Sequence, residues 1–218
     1  MSIGNNIKQI KKEIPSHVKL IAVTKTKAIE LIMQAYDSGH KIFGENKVQE
    51  LIDKVEKLPK DIEWHLIGHL QTNKVKYVAE FISLIHAVDS IKLLKEIDKQ
   101  AVKFNRTIPV LLQIHIAKEE TKFGFDYPEA ENLINSEAFK NLHNISLKGL
   151  MGMATYTEDE SIIRNEFRSL SAFFNKMKST INNNNFTELS MGMSGDYKIA
   201  IEEGSTMVRV GSAIFGGR

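Results

Sequence analysis

Lys19-Leu20-Ile21-Ala22-Val23-Thr24-Lys25-Thr26-Lys27 is a short β-branched apolar run that stops on two lysines. Runs of this kind recur roughly every 25 residues, and the stretches between them carry helical periodicity, the pattern of repeated βα units around a parallel sheet. The predicted strands are Lys19–Thr24, Lys41–Phe43, Trp64–Ile67, Leu84–Ala87, Ile108–His115, Leu147–Met151, Glu188–Met191 and Met207–Val210. Eight strands with intervening helices predict an α/β fold, a single (β/α)8 TIM-type barrel. An open doubly wound sheet is the alternative, because periodicity does not report closure.

The helices are read from spacing. Val48, Leu51, Ile52, Val55 and Leu58 form one apolar stripe, and Leu94, Ile97, Ala101 and Phe104 another. Ile163, Phe167, Leu170, Phe174 and Met177 step by four and three, so each stripe faces a sheet. Gly39 suits a left-handed helix end and Pro128 a first helical turn, while Asn182 to Asn185 reads as a polar loop. Asn5 to Ile14, with Ile7, Ile10 and Ile14 in register, adds an extra N-terminal helix ahead of the barrel.

Composition narrows the function. The 218 residues hold 29 basic and 27 acidic side chains, a net charge of +2. With no basic run among them, nucleic acid is not an expected partner. The absence of cysteine excludes a disulfide framework, a thiolate nucleophile and a thiolate metal site. No stretch of about 18 apolar residues occurs and residues 1 to 15 carry charges throughout, which predicts a cytoplasmic protein without a membrane anchor. No linker or composition shift divides the chain, so residues 1–218 read as one domain.

Functional side chains of a barrel collect where its strands end. At the first exit, a lysine against the barrel wall has its charge disfavoured, which frees a neutral amine to attack an aldehyde. Lys25 and Lys27 compete for that role, and a solvated lysine is the plain alternative. The second exit, Phe43-Gly44-Glu45-Asn46-Lys47, offers Glu45 or Asn46 as helix caps and Asn46 as a ligand contact. At the third, His65 and His69 lie four apart, but Gly68 interrupts any helix and no acidic residue sits between them, so no metal site is predicted. After the seventh strand comes Ser190-Met191-Gly192-Met193-Ser194-Gly195-Asp196, and after the eighth Arg209-Val210-Gly211-Ser212. Small residues at both places let backbone N–H groups converge on an anion where barrels commonly hold phosphate, with Ser194 and Ser212 adding hydroxyls.

Taken in order, Ala22-Val23-Thr24-Lys25-Thr26-Lys27, Phe43-Gly44-Glu45-Asn46, Trp64-His65-Leu66-Ile67-Gly68, Lys148-Gly149-Leu150-Met151, Ser190-Met191-Gly192-Met193-Ser194 and Arg209-Val210-Gly211 resemble the YggS/PROSC-type pyridoxal 5′-phosphate (PLP) homeostasis proteins. The resemblance spans residues 19 to 217 and implies a barrel similar to the N-terminal domain of alanine racemase. By the same resemblance Lys25 carries PLP as an imine. Ser194 with the backbone of Gly211 and Ser212 holds the phosphate, Arg209 approaches the pyridine nitrogen, and Asn46 and Met151 line the pocket. Thr24, Ala28 and Lys47 stand where the family usually has serine, proline and tyrosine, and Lys47 leaves the second-exit contacts the least defined.

The implied function is a PLP carrier or buffer in vitamin B6 homeostasis, a monomer without strong catalytic activity, with PLP-requiring apoenzymes as recipients. Three alternatives stand beside it: a PLP-dependent amino-acid racemase, a class I aldolase using Lys25, and a binding protein with no covalent chemistry. Racemisation needs acid–base groups on both faces of a carbanion, which the family resemblance does not supply.

Overall fold

Eight strands close on themselves in the computed structural model, which describes residues 2–118, 123–181 and 184–217. They are β1 (Lys19–Val23), β2 (Ile42–Glu45), β3 (Glu63–Leu66), β4 (Leu84–Val88), β5 (Ile108–His115), β6 (Ile145–Met153), β7 (Glu188–Ser190) and β8 (Met207–Val210). Each runs parallel to its neighbours, and β8 returns to β1 with Lys19 opposite Met207 and Ile21 opposite Arg209. That last pairing decides for the closed barrel over the open sheet. The expected ranges of β5 and β8 agree residue for residue. β2 and β6 run further than their apolar runs, because backbone pairing continues through Gly44, Glu45 and Gly152 after the side chains cease to look like strand.

Successive strand residues face opposite sides, so two cores form. Ile21, Leu84, Ala87, Leu111, Met151 and Met207 pack together inside the barrel. Their strand neighbours Ala22, Ile85, Val110, Leu112, Leu150 and Val208 join a larger core between the sheet and the helices. By the same alternation His65, between the outer-core residues Trp64 and Leu66, and Arg209, between Val208 and Val210, point inward.

The surrounding helices are α1 (Ile3–Glu13), α2 (Ile29–Asp37), α3 (Val48–Lys57), α4 (Ile91–Lys103), α5 (Tyr127–Asn135), α6 (Glu137–Lys140), α7 (Glu160–Ile181), α8 (Tyr197–Glu202) and α9 (Ser212–Phe215), with a 3₁₀ turn at Thr72–Tyr77. Ser2 caps α1, whose Ile3, Ile7 and Ile10 are buried. Asn6 Nδ2 donates to Ile214 O (2.8 Å) and Tyr197 OH to Glu13 (2.8 Å), so α1 braces α8 and α9. Gly39 takes φ 87° just past α2, and Asp126 and Glu129 form a capping box ahead of Pro128 in α5. All five stripe residues named for the seventh helix are buried in α7, whereas Phe104 ends α4 on the exposed side. Asn182 and Asn183 lie outside the described residues; Asn184 and Asn185 form a turn before β7. Among the described residues no helix is long and apolar enough to cross a membrane.

Gly149, register partner of Glu188, sits where a Cβ would fall 1.7 Å from the Glu188 carbonyl oxygen. Gly149→Ala must therefore part β6 from β7. We expect it to cost about 2–4 kcal/mol, a fall in Tm of roughly 4–16 °C by thermal denaturation; an unchanged Tm would contradict this register.

Candidate cofactor site

The exits of β1, β2, β7 and β8 meet at one mouth of the barrel. Lys25, Asn46, Ser194, Arg209, Gly211 and Ser212 line a single cavity of about 410 Å³ there, with Val23, Ile67, Met153, Tyr156 and Met193 as its apolar wall. Such a volume suits a small-molecule ligand. Met151 is not on that wall: it is fully buried in the inner core, opposite Ser190 in register, and Met153 two residues on reaches the cavity instead.

Lys25 stands in a reverse turn closed by the Lys27 N–H donating to the Thr24 carbonyl (3.0 Å). The following residue, Thr26, takes φ 62°, a left-handed conformation that a β-branched residue adopts at a cost of about 1–3 kcal/mol. Lys27, the competitor for Lys25's role, also lines the cavity, but its Nζ donates to the carbonyls of Gly216 (3.1 Å) and Gly217 (3.0 Å) at the rim. It ties the β1 turn to the segment after α9. Lys25 lines the cavity, and no hydrogen bond among the described residues engages its amine.

Two loops face Lys25 from β7 and β8. Ser194 Oγ accepts from the Gly211 N–H (3.1 Å), which joins the loops and leaves the serine's own proton to be donated. Ser212 opens α9, so its N–H has no carbonyl to meet within that turn. Met193 N–H donates to Asp196 Oδ1 at the start of α8, and burial raises the Asp196 carboxyl above its ordinary pKa, partly opposed by Arg209.

Arg209 is 4% exposed, yet its acceptors are neutral. Nη1 donates to the Ser190 carbonyl (2.8 Å) and hydroxyl (2.6 Å), and Nη2 to the Gly152 carbonyl (3.0 Å). Burial pulls its pKa down to about 10, which leaves it a cation at neutral pH. The chain continues across the barrel: Ser190 Oγ lies 2.9 Å from His86 Nδ1, and His86 Nε2 lies 3.0 Å from His65 Nδ1. Each contact needs one proton and one lone pair, so the two neutral imidazoles carry matched tautomers and the chain of donors runs in a single direction between Ser190 and His65. His65 lines a second cavity among the strand starts, with Lys19, Glu63, Glu188 and Met207.

Two sequence readings change in this setting. Neither Glu45 nor Asn46 caps α3; Lys47 occupies that position, without a side-chain cap, and Asn46 lines the cavity. Glu45 is fully buried and bonded to Thr24 and Lys54, because the last residue of β2 points into the barrel wall rather than along the helix axis. The two histidines four apart diverge: His65 turns to His86, and His69 Nδ1 to Asp89 Oδ2 (2.9 Å). Sequence reading missed Ser190 as a partner of Arg209 and gave His86 no role. Its one available signal was a polar residue within an apolar strand.

Burial is also the main cause of low histidine pKa values: about 3 for His65, about 4 for His40, and well below the ordinary value for His86, where His65 and Arg209 add to the effect. The unfolded chain takes up protons on these side chains as pH falls through about 6.5, while the native protein does not until near 4 or below. Protonation therefore favours unfolding, and stability declines from pH 6.5 downward at about 1.4 kcal/mol per pH unit for each histidine. Urea unfolding at pH 7, 6 and 5 tests this, and His86→Gln should remove one histidine's share of the slope. An unaltered slope would refute the neutral-histidine chain.

The model of the alanine racemase N-terminal domain family matches residues 1–218. The pyridoxal phosphate homeostasis protein of Aquifex aeolicus is 43% identical over 204 residues, covering 92% of this chain and 87% of that protein. Its namesake in Pasteurella multocida is 37% identical, covering 100% of this chain and 98% of that protein. PipY of Synechococcus elongatus superposes with a TM-score of 0.93 without PLP (33% identity, 98% of this chain, 100% of that one) and 0.89 with PLP bound (32% identity, same coverage). The chain belongs to the alanine racemase N-terminal domain family, and within it to the pyridoxal phosphate homeostasis proteins.

Proposed function

We propose that this protein holds PLP as an imine on Lys25 and serves intracellular vitamin B6 homeostasis as a carrier or buffer. The observation that carries the reading is the convergence, in one cavity, of a lysine amine, the joined Ser194–Gly211 loops and a cationic Arg209 whose contacts are neutral. When bound, the cofactor supplies an aldehyde that condenses reversibly with an amine and a pyridine ring able to withdraw electrons.

The chain's own groups suit that ligand. Lys25 provides the amine. The Ser194 hydroxyl and the Ser212 N–H are donors for a phosphate on the opposite side of the mouth, and the Gly211 N–H holds Ser194 Oγ in place between the two loops. Arg209, which donates and keeps its proton, would hold the pyridine nitrogen unprotonated, and the ring is then a weak electron sink. That disfavours carbanion chemistry and favours storage over turnover. Asn46 contributes a polar contact on the β2 side, and Met151 backs the wall from inside the barrel. Relatives at 37% and 43% identity bear the homeostasis name, which supports the same choice over a racemase.

In this reading residues 1–218 act as one PLP-binding domain, a cytoplasmic monomer whose partners are PLP and the apoenzymes that receive it. Added PLP should produce an absorption band near about 420 nm that is lost in Lys25→Ala and persists, without turnover, in the presence of amino acids. Borohydride reduction and peptide mapping should place the adduct on Lys25. An adduct on another lysine alone would remove the site assignment, and steady conversion of an amino acid would make the protein an enzyme.

A further inference from the structure

We propose that Glu50 and Lys54 on α3, with Glu45 beneath them, are positioning residues for Lys25; this rests on the imine assignment above. Lys25 is flanked by the Thr24 carbonyl and the Thr26 N–H, and one ion cluster holds both. Lys54 Nζ donates to Thr24 O (2.7 Å), Glu45 Oε1 (2.6 Å) and Glu50 Oε1 (2.6 Å), the three bonds an ammonium can make. The Thr26 N–H donates to Glu50 Oε1 (2.6 Å). The Thr24 hydroxyl donates to Glu45 Oε1, and Glu45 Oε2 is buried with no hydrogen-bond partner among the described residues.

This arrangement has the parts a positioning role needs. Thr26 at φ 62° is strained, and such a conformation persists where the surroundings over-determine it. A carboxylate on its amide is a strong anchor for that purpose. Glu50 and Lys54 are four apart on α3 and so share a face, which looks onto the end of β2 at Glu45. Buried ion clusters add little to stability beyond what apolar packing of the same volume supplies. Apolar packing, however, cannot bond the carbonyl before Lys25 and the amide after it.

The chemistry depends on that placement. For the Lys25 amine to form the C=N bond, Nζ must reach the aldehyde carbon, and its two N–H protons leave with the carbonyl oxygen as water. A turn free to relax at Thr26 would spread Nζ over many positions and lower the fraction poised to react.

The test compares PLP with pyridoxine 5′-phosphate, whose alcohol replaces the aldehyde and forms no imine. Glu50 is partly exposed, so its truncation leaves the core filled. Glu50→Ala should weaken PLP binding about tenfold while changing pyridoxine 5′-phosphate affinity by less than about twofold. Glu50→Gln, which keeps an acceptor for Thr26, should recover most of the loss. Thr26→Gly, free to adopt positive φ, should partly rescue Glu50→Ala, and the Glu50→Ala effect should vanish in a Lys25→Ala background. Equal loss for both ligands, or no loss, overturns the proposal. In the ligand-free protein, Glu50→Ala should also raise amide exchange at Thr26 and Lys27 about tenfold, and unchanged exchange overturns it as well. A wild-type protein that forms no imine would instead defeat the Lys25 assignment, with the exchange measurement still reading the clamp.

Discussion

The guanidinium of Arg209 is a permanent cation held inside a parallel barrel, and much of the interior is arranged around it. A buried charge is costly unless its hydrogen-bonding needs are met, and here they are met by two carbonyls and a serine hydroxyl rather than by a carboxylate. Its charge is therefore left to act on whatever occupies the cavity. The same cation donates to the hydroxyl that begins the Ser190–His86–His65 chain and joins burial in keeping His86 neutral. A carboxylate at Ser190 would neutralise the arginine and reverse that logic.

Closure of the barrel supplies the second condition. Lys25 and Ser212 are almost the whole chain apart in sequence, yet β1 and β8 are hydrogen-bonded neighbours, and the loops that leave them share one mouth. The Lys27 bonds to the carbonyls of Gly216 and Gly217 fasten those loops a second time. On the other side, α3 follows β2 after only two residues, which brings Glu50 and Lys54 under the turn that carries Lys25. Rigid elements thus hold the amine on one side and the anion-binding loops on the other, with apolar side chains such as Val23, Ile67 and Met193 between them.

Much of this was legible in the chain. The alternation of apolar runs with amphipathic stretches reports burial, which is a local property of composition, and it predicted eight strands and the stripes of α3, α4 and α7. The strand-end positions of Lys25, Asn46, Ser194, Arg209, Gly211 and Ser212 follow from the same pattern once a barrel is assumed. Glu45 and Asn46 were the alternative caps because polar residues near a helix start usually serve there, and only the position of Lys47 at the helix start and the burial of Glu45 against Lys54 show otherwise. Met151 was read as lining the pocket, but it lies one strand step deeper in the barrel than Met153, which faces the same way and reaches the cavity.

By itself, then, the sequence determined the kind of fold, the order of its elements, and which strand ends carry chemically useful groups, since these depend on periodicity and on residues near one another in the chain. Tertiary structure alone decided that the sheet closes, that Arg209 has neutral partners, that His65 and His86 pair, and that Lys54 grips the backbone beside Lys25. Each of those is a contact between distant residues, and its energy depends on distance and burial, which no local pattern encodes.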